Sequence, residues 1–164
     1  MTFKEIIGIL FAKWINRRTR KWMQQPLKTQ EKTFHALIQK GRKTKFGKDH
    51  HFESIHDYET FKKNVPIRDY EDYKEYIDLI VNGEPDILWP GRPIYFCKSS
   101  GTTSGAKFLP ITSDSMSNHI NSARNALLNY IDETGHSNLI NGKMIFLQGS
   151  PELGVTNTIP TGRL

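Results

Sequence analysis

A run of nine residues between two short apolar segments carries the residue types that bind phosphate. Its members are small hydroxyl residues, glycines and an alanine, followed by a lysine: Ser99, Ser100, Gly101, Thr102, Thr103, Ser104, Gly105, Ala106 and Lys107. Glycines allow a backbone to turn so that several N–H groups point into one concavity, which binds an anion. The hydroxyls add donors and Lys107 adds a mobile positive charge. The run therefore predicts a loop that binds a triphosphate.

The spacing within this run excludes two common nucleotide motifs. Three residues stand between Gly101 and Gly105, one fewer than a Walker A loop requires, and Phe108 follows the lysine in place of a magnesium-binding hydroxyl. The dinucleotide pattern G-x-G-x-x-G is also absent. A flexible Ser/Gly linker is the remaining alternative, and it is less favoured because linkers rarely stand between two hydrophobic strands.

The residues around the run predict the elements that must position it. Short β-prone segments over 94–97 and 108–111 predict a strand on each side. Further along, the pattern predicts a helix capped by Ser113 and ended by Gly135, a strand over 143–147, and irregular chain after Gly149. The fold class expected is therefore α/β.

The part of the chain before the run is predicted to be mainly helical. Four helices are expected: over 3–23, over 28–43, from an Asp57 cap to a stop at Pro66, and from an Asp69 cap to a terminator at Gly83. Gly47 is expected to provide a left-handed cap after the second helix. The first helix has a broad apolar face that a folded domain would bury: Phe3, Ile6, Ile7, Leu10, Phe11, Trp14 and Ile15.

Charge is distributed unevenly, because residues 1–48 hold 13 Lys and Arg against two Glu, within a chain whose net charge is +6. This basic segment suggests an anionic contact, which could be the rest of a larger protein, a nucleic acid or a membrane surface. The apolar run at 6–12 is too short to span a bilayer. One cysteine, Cys97, excludes a disulfide framework and favours a reducing cytoplasm.

Histidines and the cysteine offer weaker candidates for chemistry. His50, His51 and His56 are close in sequence, but adjacent side chains diverge, so a solvated turn is expected rather than a metal site. Cys97 is expected to be a small buried side chain rather than a nucleophile. No metal-binding residue is predicted.

The run over 99–107 resembles the phosphate loop of adenylate-forming enzymes, the acyl-CoA synthetase and luciferase superfamily. Further positions are similar to the auxin-responsive acyl acid–amido synthetase family, especially its bacterial members. These are Thr44, Phe46, Gly47, Phe52, Tyr58, Phe61, Val65, Pro66, Gly83, Trp89, Pro90 and Pro110. The resemblance covers essentially the whole chain. Plant members usually carry one more residue before the lysine, so their hormone specificity is not carried over.

The resemblance implies an ATP-dependent synthesis of amides in two steps. A carboxylate attacks the α-phosphate of ATP to give an acyl-adenylate and pyrophosphate, and the amine of an amino acid then displaces AMP. Ser99 to Gly105 would cradle the β- and γ-phosphates, with the Thr102 and Thr103 hydroxyls as donors. Lys107 would neutralise charge as pyrophosphate leaves. The expected partners are a small carboxylic acid and an amino acid, with no nucleic acid.

The resemblance also implies that the chain is part of a longer pattern. Residues 1–93 would form a mainly helical N-terminal segment and residues 94–164 the start of an α/β adenylating domain, both belonging to one incomplete domain. The adenine, ribose and Mg²⁺ ligands would lie downstream, so these 164 residues alone are expected to be inactive. The alternative from another class is a non-catalytic basic helical module that binds an anionic partner.

Overall fold

The computed structural model describes residues 2–99, 107–143, 145 and 153–163, in two compact units. The first unit contains residues 1–30 and 114–147, and the second contains 31–113 and 148–164. The helices are α1 Phe3–Met23, α2 Pro26–Gly41, α3 Lys45–Asp49, α4 Tyr58–Asn64, α5 Lys74–Val81 and α6 Ser113–Thr134. The strands are β1 Tyr95–Ser99, β2 Lys107–Ile111, β3 Gly154–Thr156 and β4 Ile159–Arg163. The predicted α/β class is confirmed; the division at residue 93 stays a prediction.

The first unit is built on the pairing of α1 with α6. Helix α1 begins with a capping box, in which the Thr2 N–H donates to the Glu5 carboxylate at 2.8 Å and the Glu5 N–H to the Thr2 hydroxyl at 3.3 Å. The apolar contact between the two helices consists of Ala12, Ile15, Leu128 and Ile131. Burial of these side chains is what holds the two helices together.

A polar contact reinforces the same helix pair. The Asn16 amide donates to Asp132 Oδ2 at 3.0 Å, and the Arg20 guanidinium donates to the same oxygen at 2.9 Å and to Glu133 at 3.0 Å. The Asp132 side chain is 5% exposed, whereas that of Glu133 is 60% exposed. One member of the basic segment, Arg20, therefore has its anionic partners within this chain.

Most of the apolar face predicted for α1 is exposed. Of its seven residues only Ile15 is buried, while Phe3 is 77%, Leu10 62% and Trp14 54% exposed. Helix α6 thus packs against this face at Ile15, and it leaves Phe3, Leu10 and Trp14 largely exposed. Within the described ranges, no helix is long and apolar enough to cross a bilayer.

The second unit packs α5 against a four-stranded sheet. Its core consists of Tyr76, Ile77, Ile80, Ile87, Phe96 and Ile159. The strand order is β2-β1-β4-β3, with β1 antiparallel to β2 and parallel to β4, and β3 antiparallel to β4. Strands β1 and β4 therefore occupy the inner positions.

Predicted caps agree with the structure at several helix ends. The Asp57 carboxylate accepts the Thr60 N–H at 2.7 Å, and this bond holds the pKa of Asp57 below its ordinary value. Asp69 accepts the Glu71 N–H at 2.8 Å, and a 3₁₀ turn over Glu71–Tyr73 leads into α5. Gly83 and Gly135 follow α5 and α6 with φ of 91° and 70°.

The prediction for Gly47 is wrong. Helix α2 ends at Gly41, and Gly47 lies inside the short helix α3, whose cap Thr44 accepts the Gly47 N–H at 3.0 Å. A Cβ at Gly47 would overlap the Gly41 carbonyl group. Glycine is required here because the backbones of α2 and α3 approach each other closely, not because of a left-handed turn.

The irregular chain predicted after Gly149 is also wrong, because β3 and β4 form a hairpin there. Its two-residue turn has Asn157 at φ 44° and Thr158 at φ 69°, which are the signs of a type I′ turn. For the strand predicted over 143–147, Lys143 and Ile145 have no regular structure, and Met144, Phe146 and Leu147 lie outside the described residues.

Candidate functional site

The predicted phosphate loop connects the two strands of an antiparallel hairpin. Ser99, the last residue of β1, pairs with Lys107, the first residue of β2. The structure thus places the first and last residues of the predicted site opposite each other at the mouth of the hairpin. The remaining site residues lie outside the described part of the chain: Ser100, Gly101, Thr102, Thr103, Ser104 and Gly105.

The hairpin is fixed to the core through one strand. Phe96 on β1 is fully buried and makes an edge-to-face contact with Phe108 on β2, with ring centroids 5.7 Å apart. Strand β1 is also paired with β4 on its other side. The mouth of the loop is therefore held by residues of a packed sheet, which positions side chains more precisely than a free loop does.

Tyr70 contacts the hairpin at the outer edge of β2. Its hydroxyl accepts the Phe108 N–H at 2.9 Å, and the Nζ atom of Lys107 lies 5.0 Å from the centre of its ring. The residue pattern gave Tyr70 no role at the loop. The contact with Lys107 had no signal in sequence, because the two residues are far apart in the chain.

A second lysine lies beside the loop on the other strand. Lys98 directly precedes Ser99, and its Nζ atom lies 5.1 Å from the centre of the Phe108 ring. Lys98 pairs with Phe108, whereas Lys107 pairs with Ser99. Since side chains alternate along a strand, the two lysines leave opposite faces of the hairpin. A lysine directly before a run of hydroxyl residues was a signal that the sequence analysis left unused.

Cys97 is confirmed as a buried side chain. It pairs with Leu109 within the hairpin, and burial raises the pKa of its thiol. The thiol form is unreactive, because the thiolate is the nucleophile. Cys97 thus contributes packing at the site.

Histidines do not form a second site. His50 is buried and stacks on Phe46 at 4.0 Å, with Nδ1 donating to the Phe46 carbonyl at 2.8 Å, so the prediction of a solvated turn is wrong for this residue. The prediction holds for His51 and His56, which are exposed. Across the described ranges, no three His, Cys, Asp or Glu side chains are arranged to hold a metal ion.

Another polar cluster, formed by Lys45, Asp49 and Tyr76, borders a groove of about 370 Å³ in the second unit. Lys45 and Tyr76 both contact Asp49 Oδ2 at 2.9 Å. The hydrogen bond from Lys45 is the main reason that the pKa of Asp49 lies below its ordinary value. These contacts join α3 to α5, so the cluster is structural.

Comparison with known proteins identifies the family. The profile of the GH3 family N-terminal domain matches residues 16–162. The chain belongs to the GH3 family.

Three comparisons describe its relatives. The chain is 47% identical over 66 residues to the indole-3-acetic acid-amido synthetase GH3.15 of Arabidopsis thaliana, covering 39% of this chain and 11% of that protein. It is 54% identical over 56 residues to the 4-substituted benzoates-glutamate ligase GH3.12 of the same plant, covering 33% and 10%. A solved structure of GH3.15 acyl acid amido synthetase matches 84% of this chain and 24% of that chain, with a TM-score of 0.62 and 23% identity, which shows the shared fold.

Proposed function

We propose that this chain supplies the phosphate-binding part of an enzyme that activates a carboxylic acid with ATP and joins it to an amino acid. Membership of the GH3 family supports this proposal, since relatives are named as acid-amido synthetases and as a benzoate-glutamate ligase. The chain spans about a tenth of the length of those relatives. The activity proposed is therefore that of the protein to which this chain contributes one part.

The observation that carries the proposal is the position of Lys107 at the mouth of the hairpin. Lys107 pairs with Ser99, so it directly follows the loop that holds the hydroxyl and glycine residues, and its Nζ atom lies 5.0 Å from the centre of the Tyr70 ring. A positive charge at that point would stabilise the negative charge that develops on pyrophosphate as the carboxylate attacks the α-phosphate. Ser99 to Gly105 would donate hydrogen bonds to the β- and γ-phosphates. The chemistry asked of this chain is electrostatic, and no covalent intermediate is assigned to it.

Other participants follow from the reaction class. ATP is the substrate that the loop would bind, and Mg²⁺ is expected to accompany its phosphates. The described residues contain no acidic cluster suited to Mg²⁺, so none of them is assigned to the metal. The free buried thiol of Cys97 agrees with a reducing compartment such as the cytoplasm. A basic module that binds nucleic acid is less favoured, because Arg20 already pairs with Asp132 and Glu133.

The test is carboxylate-dependent exchange between ATP and pyrophosphate, measured on the complete gene product that contains this chain. Lys107→Ala should lower the exchange rate by about 100-fold and leave carboxylate binding within about twofold, since the charge it meets grows toward the transition state. Lys48→Ala, which removes an exposed lysine from α3, is the matched control and should have no effect. Equal losses of exchange and carboxylate binding, or no loss in either, would contradict the role of Lys107.

A further inference from the structure

The backbone of Tyr70 is fixed by hydrogen bonds within its own turn, separately from its contact with the hairpin. The Tyr73 N–H donates to the Tyr70 carbonyl at 3.1 Å, which closes the 3₁₀ turn that follows it. Asp69 caps the same turn by accepting the Glu71 and Asp72 N–H groups at 2.8 and 3.1 Å. The tyrosine thus projects from a capped turn that leads directly into α5, one of the core helices of the second unit.

The hydroxyl of Tyr70 satisfies an outward backbone group of β2. This strand lies at the end of the sheet order, so among the described strands none accepts its outer N–H groups. The Phe108 N–H donates instead to the Tyr70 hydroxyl at 2.9 Å. This bond fixes the backbone one residue after Lys107.

The ring of Tyr70 acts on the Lys107 side chain itself. The Nζ atom lies 5.0 Å from the ring centre, within the range of a cation–π interaction. A free lysine side chain loses rotamer entropy when it is fixed, and this loss opposes ligand binding. An aromatic face that already restricts the ammonium reduces the part of this cost that falls on ligand binding.

We propose that Tyr70 is a positioning residue for Lys107: its hydroxyl fixes the start of β2, and its ring holds the lysine ammonium at the mouth of the loop for an inorganic polyphosphate. This assignment rests on the proposed function, in which Lys107 meets the departing pyrophosphate. In this assignment Tyr70 acts through Lys107 and the adjoining backbone, the groups that its ring and hydroxyl contact.

The hydroxyl is tested by amide hydrogen exchange on the complete gene product. Tyr70→Phe should speed exchange of the Phe108 amide by about fivefold, as expected for loss of a hydrogen bond worth about 1 kcal/mol. Tyr73→Phe, which removes a hydroxyl from a neighbouring tyrosine stacked on Phe46, should leave Phe108 exchange unchanged. Unchanged Phe108 exchange in Tyr70→Phe would overturn the anchoring role.

The ring is tested by replacing Tyr70 with phenylalanine or with pentafluorophenylalanine. The two rings have the same shape, but fluorination removes the negative face that attracts a cation. Binding of inorganic pyrophosphate, measured by calorimetry, should be about tenfold weaker with the fluorinated ring than with phenylalanine. The exchange reaction should lose kcat by a similar factor, with KM for the carboxylate within about twofold. Equal binding with the two rings would overturn the proposal.

The same comparison in a Lys107→Ala background separates positioning from general stability. Without the lysine, the two rings should bind pyrophosphate equally, because nothing remains for the ring to hold. A tenfold difference that persists without Lys107 would overturn the proposal, since the ring would then act through another group. If the unchanged protein shows no carboxylate-dependent exchange, the proposed reaction fails, while pyrophosphate binding and Phe108 exchange still decide the role of Tyr70.

Discussion

Asp132 and Glu133 are adjacent acids that share one arginine yet differ in their surroundings. Both accept hydrogen bonds from Arg20, but Asp132 is buried and also accepts the Asn16 amide, whereas Glu133 is largely exposed. A charge partner that is out of water and fully hydrogen-bonded contributes more than one on the surface. At the residue scale, burial and not the number of ion pairs decides which acid holds α1 to α6.

Asp132→Ala should therefore lower the free energy of local opening in α6 by about 1–3 kcal/mol, because the buried Asn16 amide loses its 3.0 Å bond to Asp132 and keeps the longer one, 3.5 Å, to the Leu128 carbonyl. Glu133→Ala is the matched control and should cost less than about 1 kcal/mol. Exchange of the Gly135 amide, which donates to Ile131 at the end of α6, reports both values. Equal effects of the two substitutions would show that the buried bond has no special weight.

At the scale of elements, the turn of the hairpin β3–β4 contains a residue that its backbone conformation disfavours. Thr158 is β-branched and sits at φ 69°, a backbone region in which a β-branched residue is strained. Asn157 is better suited, and its side chain lies against Gly83, whose missing Cβ leaves room for it. The preference of this turn for residues that adopt positive φ therefore accounts for Asn157 and does not account for Thr158.

Thr158→Gly should stabilise this hairpin by about 1 kcal/mol, because glycine adopts positive φ without steric cost. The same substitution two residues earlier is the control: Thr156 is in β3, where glycine should destabilise by about 0.5–1 kcal/mol. Amide exchange of Ile159 and Thr161, which pair with β3, measures both. A loss of protection in Thr158→Gly would indicate that the Thr158 side chain makes a contact that outweighs its strain.

The elements that sequence could predict were those with a local signal. Asp57, Asp69 and Gly83 mark helix ends by bonds to residues three positions away, so their roles could be predicted from the local sequence. Gly47 was misread because its partner, the Gly41 carbonyl, belongs to a second helix. At the candidate site, Ser99 and Lys107 were predicted from residue types. Tyr70 was not, because its contacts with β2 depend on tertiary packing.

At the scale of the whole molecule, the exposed apolar surface of α1 is the dominant feature. Phe3, Leu10 and Trp14 are each more than half exposed. Helix α6 packs against Ala12 and Ile15 of the same helix. Contiguous exposed apolar patches favour association with another surface. Under the proposed function, the other parts of the longer protein would cover this face, since the chain spans about a tenth of the length of its relatives.

The 164-residue chain produced alone should thus self-associate and show no carboxylate-dependent ATP–pyrophosphate exchange. Sedimentation velocity should show an average mass that rises with concentration. Replacing Phe3, Leu10 and Trp14 by serine should reduce this association, whereas Lys13→Ser, an exposed polar position of the same helix, should not. A monomeric chain with exchange activity would overturn both parts of this expectation.

The sheet order has a consequence for how the chain is made. Strand β4 occupies an inner position although it is the last of the four described strands to leave the ribosome, and its parallel partner β1 emerges long before it. Until then the inner edge of β1 offers unpaired N–H and C=O groups to any strand nearby, including one from a neighbouring nascent chain on the same message. During synthesis the β1–β2 hairpin therefore precedes its inner neighbour β4, and yield in cells should depend on how well chaperones shield that edge.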